Sequence, residues 1–171
     1  VLERTKTSNH TIVSVADSTS AETDVDGIDV DKILSRKEYR DQVGRGDAEE
    51  ALEVDYDVLI EATPTTLGDA EPGFSHVRRA LERDRHVVLA NKGPVAERYA
   101  ELRDLEAASA GAVRFEATVG GSIPILSTID DHQGEVTAVR GVLNGTSNYI
   151  LSRMGTEGLE YEHILAEAQD M

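Results

Sequence analysis

The sequence predicts an α/β fold for residues 1–118, a parallel sheet joined by crossover helices, followed over residues 119–171 by the start of an α+β region. Three observations predict it. Short, apolar, β-branched runs alternate with stretches of helical spacing through the middle of the chain. Four of these runs end in polar or glycine-bearing chemistry, at Asp17, Thr63-Pro64, Asn91-Lys92 and the Thr118 to Gly121 turn. Beyond residue 118 the alternation gives way to two glycine-bearing turns flanking one helix, with a glutamate before the first and a hydroxyl after the second.

In chain order, residues 1–10 read as a helix tail and a polar turn. Thr11 to Ala16 is a buried strand leaving its sheet at Asp17-Ser18. Helical spacing runs from Asp29 to Tyr39 inside an acidic stretch, and Gly44 to Asp47 form a turn. Asp57 to Ala62 is a second strand, broken by Thr63-Pro64. Phe74, Val77, Ala80 and Leu81 share one helical face. His86 to Ala90 is a third strand. Pro94 suits a first helical position, and Val95, Tyr99, Leu102 and Leu105 line one buried face until Gly111. Val113 to Ala117 forms a fourth strand, a helix starts at Pro124, and Val136 to Leu143 extends again. Asn144-Gly145-Thr146 opens another helix, and Leu159 to Met171 reads as a helix still in progress.

Composition narrows the function. The chain has 171 residues, with 39% hydrophobic and 4% aromatic, so its core is mostly aliphatic. Thirty-three acidic against seventeen basic residues give a formal charge of −16, which argues against nucleic acid as a partner. Only four residues are lysines, and acidity spread along the chain suits a surface kept soluble in high salt. No run approaches the roughly 18 apolar residues of a membrane span. No signal peptide is visible, and the absence of cysteine excludes disulfides and thiolate metal sites. A soluble, cytoplasmic enzyme is the expectation.

In parallel sheets, ligands gather beyond the carboxyl ends of the strands. An acid closing the second strand of a dinucleotide-binding sheet accepts hydrogen bonds from a ribose and disfavours a 2′-phosphate, which makes Asp17 a candidate and tilts the choice towards NAD. Thr63 and Pro64 are candidate cofactor contacts. Lys92, a scarce lysine at the end of an apolar strand, can hold an anion or polarise a carbonyl oxygen as hydride arrives. His86 and His132 lack partners at ligand spacing and read as packed or solvated. The G-x-G-x-x-G fingerprint is absent, so a first strand with its glycine turn is expected before residue 1.

Three motifs carry a resemblance. They are Val88-Leu89-Ala90-Asn91-Lys92-Gly93-Pro94, Glu116-Ala117-Thr118-Val119-Gly120-Gly121-x-Ile123-Pro124, and Gly141-x-Leu143-Asn144-Gly145-Thr146-x-Asn148-Tyr149-Ile150. In this order and spacing they resemble homoserine dehydrogenase, with Glu167-Ala168-Gln169 and Val13 to Ser18 as lesser support. The acidic composition looks like that of a homologue from a salt-adapted organism.

The resemblance implies a Rossmann-like NAD(P)-binding domain over residues 1–118, and over 119–171 the beginning of a catalytic, substrate-binding and dimerisation domain. It implies interconversion of L-homoserine and L-aspartate 4-semialdehyde on the route to threonine and methionine, by a homodimer in which strands such as Val136 to Leu143 pair across subunits. Thr63 falls at a cofactor contact, Lys92 near both nicotinamide and substrate, and Gly145 and Thr146 at the amino-acid part of the substrate. Glu116 and the backbone oxygens of Val119, Gly121 and Ile123 fall at a structural sodium ion, and a glycine turn can aim carbonyls at a hard cation. The family's acidic substrate ligands and second lysine are expected beyond residue 171, so the 171 residues alone are expected to be inactive. Alternatives are another amino-acid dehydrogenase of this architecture, or an inactive remnant kept for assembly or sensing.

Overall fold

Strands β3 (Val58–Glu61), β4 (His86–Leu89) and β5 (Val113–Arg114) form a parallel sheet in that order. The computed structural model describes residues 9–121, 123–132, 136–142 and 144–170. Expectations for residues 1–8, Leu143 and Met171 lie outside the described residues. The chain divides into two compact units, Val1–Thr118 and Val119–Met171.

In the first unit, Leu59 pairs with Val87 and Val87 with Val113, so one sheet face is a continuous apolar row. Helix α2 (Gly73–Leu81) presents Phe74, Val77, Ala80 and Leu81 to that face, and Leu102 of α4 (Tyr99–Ala107) joins the same core. Right-handed crossovers place such helices naturally. Two arginines, Arg78 and Arg98, lie over the Phe74 ring at 5.0 and 4.2 Å, sealing its outer side. The opposite sheet face is open: Val58, Ile60 and Val88 are 44%, 46% and 40% exposed.

The structure departs from the sequence reading at several elements. The first strand is not part of the parallel sheet. Instead, β1 (Ser14–Ala16) pairs antiparallel with β2 (Ala21–Thr23), a strand the polar composition hid. The cause is Asp17, whose Oδ1 accepts hydrogen bonds from the backbone N–H of Thr19 and Ser20 and from both hydroxyls, folding the chain back at once. Helix α1 (Val30–Arg40) matches its periodicity, with Asp29 capping it through the Lys32 amide. Its Arg36 spans Glu22 and the Val43 carbonyl at 2.6 and 2.9 Å, tying the helix to the hairpin.

The helix expected from Pro94 to Gly111 is two, α3 (Gly93–Glu97) and α4, because Arg98 leaves helical geometry (φ −128°, ψ 29°) with its guanidinium over Phe74. The last strand of the sheet is short. After Arg114 the chain enters a 3₁₀ turn, Glu116–Thr118, where the Phe115 carbonyl accepts from both the amide and the hydroxyl of Thr118. Glu49–Leu52 is a further 3₁₀ turn in the acidic stretch.

The second unit holds α5 (Ile125–Asp130), α6 (Gly145–Glu157) and α7 (Tyr161–Asp170). Helices α6 and α7 form a hairpin around buried Ile150 and Ile164, turned by Gly158 at φ 67°. Arg153 bonds Glu157 at 2.7 Å and also pairs with Glu167, linking the two helices on their outer side. Residues 136–142, expected as a strand, form no ladder. Val136, Val139 and Val142 are exposed, and a strand without a neighbour has nothing to satisfy its backbone groups.

Candidate functional site

Strands β3 and β4 run parallel, with Glu61 opposite Leu89, so both release the chain at the same sheet edge. Two loops emerge there, residues 62–66 and 90–93. Asn91, 2% exposed, binds them together: its Nδ2 donates to Thr63 Oγ1 at 3.1 Å and to the Pro64 carbonyl at 3.4 Å, and its Oδ1 accepts from the Gly93 amide at 2.9 Å. Lys92 donates its backbone N–H to Thr65 Oγ1 at 3.3 Å. Its side chain is exposed, and among the described residues its ammonium has no hydrogen-bond or ion-pair partner. Gly93 is required here, since a Cβ would sit 2.4 Å from the Thr66 carbonyl oxygen.

Beneath the loops lies a buried charge. Glu61, the last residue of β3, is 2% exposed. Its Oε2 is 2.5 Å from Nδ1 of His76 on α2, and its Oε1 accepts from the Thr63 amide at 2.8 Å and from the Thr63 hydroxyl. Burial alone would push this carboxyl up. The hydrogen bonds from His76 and Thr63 outweigh burial and hold it below its ordinary value. Sequence reasoning missed Glu61 and His76, and placed Asn91 at a strand end without its bonding role. The available signal was an acid closing an otherwise apolar strand, two residues before a threonine.

The structure brings Thr63, Pro64 and Lys92 together, and Asp17 lies in the turn of the β1–β2 hairpin. Besides the four hydrogen bonds on Oδ1, Asp17 Oδ2 pairs with Lys37 at 2.9 Å. A ribose hydroxyl would have to share a carboxylate already engaged within the fold. Desolvation would raise this carboxyl, but Lys37, Thr19 and Ser20 together hold it well below 3.8. A depressed pKa contributes stability that is complete above the unfolded value and lost as pH falls through the folded one. Thermal melts should therefore show Asp17→Asn less stable than the parent at pH 7, with the gap narrowing steadily below pH 3.8. A gap that stays constant down to pH 2 would show the carboxylate contributes nothing as an anion.

A small polar recess beside that turn is lined by Ser18, Thr19, Arg45, Gly46 and Asp47. His86 Nδ1 accepts from the Ala112 amide at 3.0 Å, and His132 Nδ1 lies 2.8 Å from the Thr128 carbonyl oxygen. Glu116 lies in the 3₁₀ turn that closes the first unit. In the second unit, Gly120 and Gly121 are both left-handed, at φ 68° and 65°, and Ile123 is exposed. Gly145 and Thr146 begin α6, where Asn144 caps the Ser147 amide at 2.8 Å.

A parallel sheet with bonded polar loops at its strand ends places the chain among the α/β folds that bind ligands at that edge. Residues 1–116 match the family model described as homoserine dehydrogenase, NAD binding domain, and residues 124–171 match the homoserine dehydrogenase model. The chain belongs to the homoserine dehydrogenase family. It is 39% identical over 171 aligned positions to the homoserine dehydrogenase of Methanocaldococcus jannaschii, covering 94% of this chain and 51% of that protein. An NAD(+)-dependent homoserine dehydrogenase of Pseudomonas canavaninivorans is 38% identical over 115 positions, covering 66% of this chain and 32% of that protein. A crystal structure described as a putative homoserine dehydrogenase of Archaeoglobus fulgidus superposes with a TM-score of 0.78 at 36% identity, covering 98% of this chain and 52% of that one. The chain spans about half the length of the Methanocaldococcus relative. No helix among the described residues is long and apolar enough to cross a membrane.

Proposed function

We propose that the protein interconverts L-homoserine and L-aspartate 4-semialdehyde with NAD(P), in the biosynthesis of threonine and methionine. The observation that carries this reading is the paired strand-end loops of β3 and β4, with Lys92 presented beside Thr63 and Pro64 on a domain of this family. The dinucleotide, when bound, supplies or accepts the hydride. Thr63 and Pro64 contact it, and the Lys92 ammonium donates a proton to the oxygen of the aldehyde as that carbon is reduced. Gly145 and Thr146, on the first turn of α6, hold the amino-acid part of the substrate.

A monovalent cation, sodium by resemblance, is assigned to Glu116 and the backbone oxygens of Val119, Gly121 and Ile123. The resemblance carries this assignment, and within the second unit Gly120 and Gly121 are consecutive left-handed residues. Its contribution is structural. The protein works in the cytoplasm as a homodimer, and the exposed Val136, Val139 and Val142 supply apolar surface for a second copy. A surface this acidic, at −16 with four lysines, suits a salt-adapted source.

NAD is the preferred cofactor in this reading, since Asp17 is held as an anion and repels a 2′-phosphate. One observation favours the other choice: Lys37 offsets that charge, and Arg45 with the Ser18 and Thr19 hydroxyls lines the adjacent recess. Homoserine oxidation by the intact protein, followed at 340 nm with each dinucleotide, tests both points. The expected result is turnover of homoserine well above that of aspartate, malate or lactate, and faster with NAD than with NADP. Absence of homoserine turnover with either cofactor would overturn the function, and a strong preference for NADP would overturn the role of Asp17.

A further inference from the structure

Glu61 is an expensive residue where it stands. Removing a carboxylate from water costs several kcal/mol or more unless the charge is paired and its lone pairs are satisfied. A parallel-sheet core needs no charge at this position; Leu59, two residues earlier on the same face, packs against the apolar cluster. What separates Glu61 from Leu59 is its place at the strand end, and every partner it has belongs to the rim. His76 reaches it from α2, and Thr63 from the loop after β3. Thr63 in turn accepts from Asn91, which is itself buried, and Asn91 anchors Pro64 and Gly93. Gly73, at the start of α2, packs so closely on Asn91 that a Cβ there would lie 2.5 Å from its Nδ2. One helix and two loops thus converge on a single chain of hydrogen bonds, His76–Glu61–Thr63–Asn91.

The tautomer follows from the geometry. A carboxylate oxygen accepts only, so His76 Nδ1 carries the proton and donates it to Glu61. The Thr63 hydroxyl then has its own proton committed to Glu61 Oε1, because Asn91 Nδ2 can only donate to it. Each bond has one direction, and reversing any member would bury an unpaired group. Such one-way networks hold a unique arrangement.

We propose that Glu61 and His76 are positioning residues of the dinucleotide site: their pair, continued through Thr63 and Asn91, locks the loops of residues 62–66 and 90–93 to one another and so sets where Thr63 and Lys92 meet the cofactor. The inference rests on the reading of this rim as the dinucleotide site. Neither side chain is required to touch the cofactor; both act through Thr63 and Asn91.

The test is fluorescence titration of the intact protein with NADH and NADPH, run beside thermal melts. His76→Ala removes the donor to Glu61, His76→Asn restores a donor near the Nδ1 position, and Glu61→Gln removes the charge at nearly constant shape. His76→Ala should raise the dinucleotide Kd by roughly 10- to 100-fold, the loss typical when a group that orients a binding side chain is removed. His76→Asn should recover most of that loss, and Glu61→Gln should weaken binding at a temperature where it remains folded. A dinucleotide Kd unchanged in a folded His76→Ala or Glu61→Gln variant, whatever its melting temperature, would reduce the pair to a packing role and overturn the proposal. If His76→Ala does not fold, Glu61→Gln decides in the same way. Failure of the unaltered protein to bind either dinucleotide would overturn the functional reading itself, and the positioning role with it.

Discussion

Replacing Lys92 by alanine in the intact enzyme is expected to lower kcat by about 10²- to 10⁴-fold, the range of a lost acid–base group. Lys92 is one of four lysines in the chain. It stands at the N-terminal boundary of α3, held through its backbone by Thr65, while its side chain is exposed and has no partner among the described residues. No described residue pairs with the ammonium, so little stability should go with it. Lys92→Arg separates two roles. A guanidinium keeps the positive charge but does not release a proton at neutral pH. If Lys92 donates a proton, Arg should rescue substrate KM and leave kcat low; if it only supplies charge, Arg should restore both. Near-normal turnover in Lys92→Ala would remove the residue from the chemistry altogether.

The largest stability effect is expected at Phe74. Its ring is fully buried at the centre of the cluster formed by α2, β4, β5 and α4, and it is flanked by Arg78 and Arg98. Truncation to alanine leaves a cavity in a core with little aromatic bulk to refill it. The cost should be about 3–5 kcal/mol, which lowers the melting temperature of this unit by roughly 6–20 °C. Arg98 loses its seat as well, and with it the break between α3 and α4. Melting followed by circular dichroism checks this. A loss below about 1 kcal/mol would mean that the ring lies outside a closed core.

Unequal parts of the fold are legible in the sequence. The apolar runs of β3 and β4 and the Phe74, Val77, Ala80, Leu81 face of α2 were plain, because burial on one side imposes a period that survives in sequence. The hairpin of β1 and β2 was not. Ala-Glu-Thr carries no strand signature, and the turn depends on Asp17 spending its oxygens on its own neighbours. Residues 136–142 form no ladder among the described residues, since a ladder needs a second strand to bond, and the partner expected for this segment is a second copy of the chain.

The candidate site divides along the same line. Sequence by itself determined the family, the parallel β–α order, and the chemistry available at Thr63, Lys92 and the glycine turns, because residue types and their spacing are written directly in the chain. Only the tertiary structure decided which groups Asp17 bonds within its hairpin turn, and that Glu61, His76 and Asn91 form the bonded underside of the rim. His76 lies fifteen residues from Glu61, and Asn91 twenty-eight from Thr63. Hydrogen bonds are formed by distance and direction in space, and no periodicity along a chain encodes which distant donor will reach a given buried oxygen.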